Sequence, residues 1–295
     1  MTTLKKYDVA CVGNYTKDTI VSPAGTRQVD GGAVNYGAHA IARTDLDVAV
    51  VTHLAKEDRR VIDRLEKLGV DCYVEYTPNS TLMKLEYPTH NVDQRNLSVT
   101  ATAGEITADD VRHINAKAMV IGTSLRNEIS LEAIQTLREK DTLLAADVQG
   151  FLRVLRAEKL ERQPWSEMEE VLSLLDILKT DGNEAEFMTG ESNITKAAAT
   201  LAGMGPGEVL ITHKEGVLIY NGNGGKQVEF YPKQINGRSG RGDTCLASYT
   251  GKRLSASPED SLIWAAALTS LKMENEGPFN RNIHEVEALI EEKYR

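Results

Sequence analysis

Residues 7–13, YDVACVG, with GGAVNYGAHAIAR at 31–43 and VAVVT at 48–52, set the fold class. The outer two are short, apolar and β-branched, as strands are when both faces of a parallel sheet are covered. The middle stretch opens on a glycine pair and runs on as an alanine-rich helix, so the three make a strand, loop, helix, strand unit. The rhythm continues downstream. Residues 118–121, 143–147, 177–179 and 209–212 read as strands, and 130–140 and 166–175 as helices between them. An α/β protein of three layers, with a mainly parallel central sheet between helices, is expected. Apolar runs at 217–220 and 228–231 around Asn-Gly-Asn-Gly-Gly add an antiparallel hairpin at an edge, and helices dominate from Asp243 onward. Two β-rich segments, 22–30 and 72–102, break the rhythm and read as a small lid. Without a linker or an internal repeat, residues 1–295 are expected to form one principal domain.

The bulk composition narrows the function. Hydrophobic residues at 41% and charged residues at 26% describe an ordinary globular chain. A formal charge of −9 argues against nucleic acid as the main partner, since phosphate backbones are held by clustered Lys and Arg. Cys11, Cys72 and Cys245 lack metal-binding spacing and fit a reducing compartment. With no run of about 18 apolar residues and no signal-like region, no membrane partner is expected and the cytoplasm is the expected location.

Three constellations carry chemistry. In NGRSGRGDTCLAS at 236–248, Gly237, Gly240 and Gly242 precede Asp243 and a helix. Glycines there let backbone N–H groups converge, and the helix dipole adds positive potential, which suits a phosphate or a developing anion. Asp243 at that mouth reads either as a base that takes a proton from an attacking hydroxyl or as a simple helix cap. At 31–35, Gly31, Gly32 and Asn35 read as a substrate-hydroxyl site or as a turn with a cap. Asn14 and Asp18, just past the first strand, join that side as hydroxyl ligands or as loop residues. At 183–186, Asn183 and Glu186 fall on one helical face, suited to a hydrated magnesium ion or to an acidic first turn.

Taken in order, these pieces resemble the ribokinase-like (PfkB) family of carbohydrate and nucleoside kinases over essentially the whole chain. The resemblance implies the ribokinase-like fold, with Asp243 as general base and Gly240, Arg241 and Gly242 at the anion hole that the family builds as Gly-Ala-Gly-Asp. It implies substrate binding by Asp18, Asn14, Gly31, Gly32 and Asn35, and nucleotide or magnesium roles for Asn183 and Glu186. ATP and Mg²⁺ are the implied cofactors and a small polyol is the implied partner. The family's Thr-x-Gly-x-x-Gly nucleotide pattern appears as Thr212, His213, Lys214, Glu215, Gly216, one residue shorter and without its first glycine. Arg241 replaces the family alanine, and Arg238 adds a second charge to the loop. Asp147, Gln149 and Arg153 resemble a pattern of inositol-kinase-like members, in which Arg153 reaches substrate or phosphate, and Arg95 is a further candidate ligand of the lid segment. Only nine residues separate Val21 from Gly31, so the lid is short and the chain is expected as a monomer or homodimer. A nucleoside kinase or a non-catalytic ligand-binding relative are the alternatives. A dinucleotide-binding oxidoreductase is disfavoured because no Gly-x-Gly-x-x-Gly follows the first strand.

Overall fold

The computed structural model describes residues 5–89 and 96–295. In chain order its strands are β1 (Lys6–Val12), β2 (Thr16–Ser22), β3 (Gly25–Gly31), β4 (Val48–Ala55), β5 (Asp71–Thr77), β6 (Thr81–Glu86), β7 (Asn96–Ala101), β8 (Asn115–Gly122), β9 (Leu143–Asp147), β10 (Arg153–Arg156), β11 (Lys159–Arg162), β12 (Ile177–Asp181), β13 (Glu208–Thr212), β14 (Gly216–Tyr220) and β15 (Gly225–Glu229). Its helices are α1 (Ala33–Ile41), α2 (Arg60–Glu66), α3 (Ala108–Arg112), α4 (Leu131–Arg138), α5 (Gln149–Leu152), α6 (Met168–Leu174), α7 (Gly182–Thr189), α8 (Ile194–Ala202), α9 (Arg241–Arg253), α10 (Pro258–Met273) and α11 (Ile283–Lys293).

One sheet runs β15-β14-β13-β12-β9-β8-β1-β4-β5. Neighbours from β13 to β5 pair in parallel, and the β14–β15 hairpin is antiparallel around the expected glycine turn. Alternation along β1 divides its side chains between two cores. Val9 and Cys11 meet Val34 and Ile41 of α1 and Leu246 and Tyr249 of α9. Ala10 and Val12 face the core that also holds Ile134 and Leu137 of α4 and Leu201 of α8. Covering both faces in this way gives the three layers, and each fully buried Val, Ile or Leu contributes about 1.5–3 kcal/mol. Among the described residues no helix is long and apolar enough to cross a membrane.

The remaining strands form a second sheet, β10-β11-β7-β6-β2-β3, and here the sequence expectation differs from the structure. The 72–102 segment is split: β5 is the edge strand of the main sheet, parallel to β4, while β6 and β7 belong to the second sheet. As an edge strand β5 is only partly covered, its residues half-buried or exposed, so DCYVEYT resembles a strand standing off the core. The second sheet also begins earlier, at Thr16, and gains the hairpin β10–β11. That hairpin buries little, and its charged sequence offers no apolar run to read.

Candidate active site

A cleft of about 970 Å³ opens where β9, β12 and β13 end, with Ile20, Arg27 and Val29 of the second sheet on its other side. The C-terminal ends of parallel strands are where an open α/β sheet presents its ligand loops. Into this cleft the N-cap and first turn of α9 bring Gly240, Arg241, Gly242 and Asp243. Gly240 is the N-cap of α9 at φ 74°, and a Cβ there would lie 2.1 Å from the Tyr36 ring. Both the left-handed backbone and the ring contact require glycine. The first-turn N–H groups of Gly242 and Asp243 have no intrahelical carbonyl partner and sit at the positive end of the helix dipole. An anion is the natural occupant of such a turn.

Asp243 is half-buried in the first turn of α9. Burial holds its carboxyl above the usual carboxylate range and the charge of Asp18 adds to this, while Lys179, Arg153 and Lys272 oppose it. A raised carboxyl pKa makes a stronger base. Two of those cations had no role in the sequence reading. Lys179, in the middle of β12, is buried and lies 2.7 Å from Asp147 Oδ2 at the end of β9. Burial pulls the Lys179 ammonium down, but Asp147 and Glu184 outweigh it and hold the group protonated. Gly242 packs against this pair, since a Cβ there would meet Lys179 Nζ at 2.3 Å. Lys272, near the end of α10, is buried too and donates to the carbonyls of Gly237 and Ser239. The local signal was weak, a lysine beside one or two apolar residues in a mixed run, ILKTD and ALTSLKM. A buried charge needs partners, so such a residue marks a polar site.

The Asn183–Glu186 pair does not meet at the cleft. Asn183 lies exposed on the cleft rim, and Glu186 is exposed on α7, outside the described lining residues. The inward-facing pair of the same spacing lies two residues earlier. Asp181 lines the cleft and caps α7, accepting from Glu184 N at 2.8 Å, while Glu184 Oε2 accepts from Asp181 N at 3.0 Å. Burial, reinforced by Asp181, raises the Glu184 carboxyl pKa.

The acceptor-side residues do come together. Thr16 of β2 pairs with Gly31 of β3, and a Cβ on Gly31 would lie 2.4 Å from Asp18 Oδ2. Gly32, at φ 91°, passes close to Asn14, whose carbonyl a Cβ would meet at 2.6 Å. Asn35 is buried and donates through Nδ2 to Asp30 O at 3.0 Å, while its Oδ1 has no partner among the described residues. Asn14 is spent on structure: Nδ2 donates to Gly104 O, Oδ1 accepts from His53 N, and its own N–H is held by Glu128. Arg153 Nη2 donates to Gln149 Oε1 at 2.8 Å, and its charge reaches both Asp243 and Glu184. Arg95 lies outside the described residues.

On the remaining wall Thr212 and Lys214 line the cleft beside Arg238 and Arg241. Gly216 does not join them. It lies in β14, where a Cβ would meet Val228 O at 2.1 Å, so this glycine serves the hairpin.

A family model described as pfkB family carbohydrate kinase matches residues 4–284. The chain belongs to this family. It is a phosphotransferase that acts on an alcohol group of a small molecule, with the ribokinase-like fold. A cytidine kinase of Thermococcus kodakarensis is 25% identical over 250 residues, which cover 82% of this chain and 87% of that one. A pyrophosphate-dependent kinase of the ribokinase family, solved with a pyrophosphate analogue and myo-inositol, is 30% identical with a TM-score of 0.87, covering 95% of this chain and 99% of the other. Arabidopsis thaliana ribokinase, solved with ribose and ATP, shares the fold at 18% identity and a TM-score of 0.76 over 97% of this chain and 99% of its own.

Proposed function

We propose that this kinase phosphorylates a hydroxyl of a cyclitol, myo-inositol or a close relative, with Asp243 as general base. The observation that carries the reading is the meeting of Asp243, the Gly240–Gly242 turn and the buried Lys179 in one cleft. Asp18 and Asn35 hold the acceptor, Asp243 takes the proton of the attacking hydroxyl, and the first-turn N–H groups of α9 receive the developing charge of the phosphoryl group. Positioning and fixed dipoles supply most of the rate in such transfers. Asp243→Asn is expected to fold and to lower kcat by at least about 100-fold. A variant with near-normal turnover removes Asp243 as base.

We infer pyrophosphate rather than ATP, the donor expected from the sequence. Pyrophosphate concentrates its charge on few atoms and carries no base, so it calls for cations in place of a nucleotide slot. Lys214, Arg238 and Arg241 line the cleft where the family's nucleotide glycine and anion-hole alanine are missing, and solved relatives at 30% identity are pyrophosphate-dependent. With acceptor saturating, pyrophosphate is expected to exceed ATP in kcat/KM by at least about tenfold, which corresponds to about 1.4 kcal/mol. The reverse order makes ATP the donor.

Mg²⁺ fits this chemistry. It is held in such sites by one or two carboxylates, waters and the donor's own phosphates, so a dedicated cage is not needed. Asp181 is the cleft carboxylate for it, with Glu184 orienting Asp181. When bound, the ion neutralises donor charge. The thiols of Cys11, Cys72 and Cys245 are unpaired, in keeping with a cytoplasmic kinase.

A further inference from the structure

The loop before α9 is fastened along its length to the end of α10. The N–H groups of Asn236 and Gly237 donate to Met273 O at 2.9 and 3.0 Å, and Asn236 Nδ2 donates to Glu274 O at 2.9 Å. Lys233 N donates to Glu274 Oε1 at 2.8 Å, and Gly237 approaches Asn275 so closely that a Cβ would meet its carbonyl at 2.2 Å. Two of these contacts involve charged groups, the Glu274 carboxylate and the Lys272 ammonium. Lys272, 1% exposed, donates through Nζ to Gly237 O at 2.9 Å and to Ser239 O, and lies 5.1 Å from the centre of the Tyr36 ring. The same ring carries Gly240 on its face. A buried ammonium is costly to keep, and its bonds to carbonyls are stronger than neutral ones.

We propose that Lys272 is a positioning residue for phosphoryl transfer: by drawing the carbonyls of Gly237 and Ser239 to one buried charge, it fixes the loop so that the N–H groups of Gly242 and Asp243 face the migrating phosphoryl group. The inference rests on the kinase reading above. The carbonyls turn inward to the lysine, so the peptide dipoles of 237–240 hold one orientation whether or not a donor is bound. Preorganised dipoles cost no reorientation when charge develops.

The charged or titratable groups that bear on this ammonium are Asp243 and Arg241 on α9, Glu276 beyond α10 and Tyr36 on α1. Burial pulls the group down to about 8. As pH rises through that value the ammonium is lost, and kcat of the wild type is expected to fall. Lys272→Arg keeps its charge and is expected to stay level there; the same alkaline fall in both proteins contradicts the proposal.

The deciding comparison sets wild type beside Lys272→Met and Lys272→Arg, each checked for folding by circular dichroism. Lys272→Met is expected to lose about 100-fold in kcat with acceptor KM within about twofold, and to bind methylenediphosphonate about tenfold more weakly by calorimetry. Lys272→Arg is expected to recover at least about tenfold of that kcat. A folded Met variant with kcat within about twofold of wild type, or an Arg variant no better than Met, overturns the proposal. If wild type transfers no phosphoryl group, the kinase reading fails separately. Methylenediphosphonate binding then decides for Lys272: weakened in the Met variant it supports the proposal, and equal in both it overturns it.

Discussion

The two ends of the cleft are built from different materials. At the α9 end the proposed binding groups are backbone N–H groups, with the buried charges Lys179, Asp147 and Lys272 around them. At the proposed acceptor end the groups are side chains, Asp18 and Asn35, placed by strand register and by a turn tied down from outside. That turn hangs on Asp30: its carboxylate accepts from Tyr15 Oη at 2.6 Å and from Arg60 and Arg64 of α2, and its carbonyl accepts from Asn35. A backbone cradle held by buried charge suits an ion whose geometry is the same in every turnover. Side chains suit a ligand that differs among relatives, since pocket contacts set the selection among hydroxyl patterns.

This contrast predicts losses in kcat at one end and in KM at the other. After Asp243→Asn, Gly242→Ala has the largest expected effect, because its Cβ must push Lys179 Nζ away from Asp147. A fall in kcat of about 100-fold with acceptor KM little changed is expected from steady-state kinetics. If KM moves instead, the α9 end takes part in acceptor binding. Asp18→Asn is expected to raise acceptor KM by about 10–50-fold, the loss of one charge-assisted hydrogen bond, with a smaller change in kcat. An unchanged KM would take Asp18 out of the acceptor site.

Asp243→Asn has a stability arm as well. With its pKa raised, the folded protein holds the Asp243 proton more tightly than the unfolded chain does, so the charged form costs stability at neutral pH. That cost is relieved as pH falls through the raised pKa. Asp243→Asn is therefore expected to raise Tm at pH 7 and to lose this advantage in acid, and a Tm lowered at pH 7 would mean that the carboxylate is well paired. The smallest effect is expected from Arg64→Ala, which removes one half-exposed partner of Asp30. Its Tm should shift by no more than about 3 °C and acceptor KM by about twofold, since exposed ion pairs contribute little.

The main sheet was legible because buried parallel strands are continuous apolar runs, and Asp243 with its glycines was legible because only glycine fits such a turn. Other features gave a weaker signal. DCYVEYT at 71–77 mixes polar and apolar residues as a partly covered edge strand does, so it resembled the second sheet, and RVLRAEKLER at 153–162 buries too little to stand out. In KTDGNEAE at 179–186 two pairs share one spacing, Asp181 with Glu184 and Asn183 with Glu186. Burial alone separates them, and burial follows from the turn that caps α7. Lys179 and Lys272 meet partners distant in sequence, Asp147 and the 237–239 carbonyls, so the local pattern announces them only weakly.

The most direct measurement is phosphorus NMR of the wild-type protein incubated with myo-inositol and either pyrophosphate or ATP, with Asp243→Asn in parallel. An inositol monophosphate signal growing with orthophosphate from pyrophosphate, faster than with ADP from ATP, and slowed at least about 100-fold in the variant, is the expected result. A phosphomonoester that forms equally well without the Asp243 carboxylate, or no phosphomonoester from either donor, would contradict a hydroxyl kinase built on that residue.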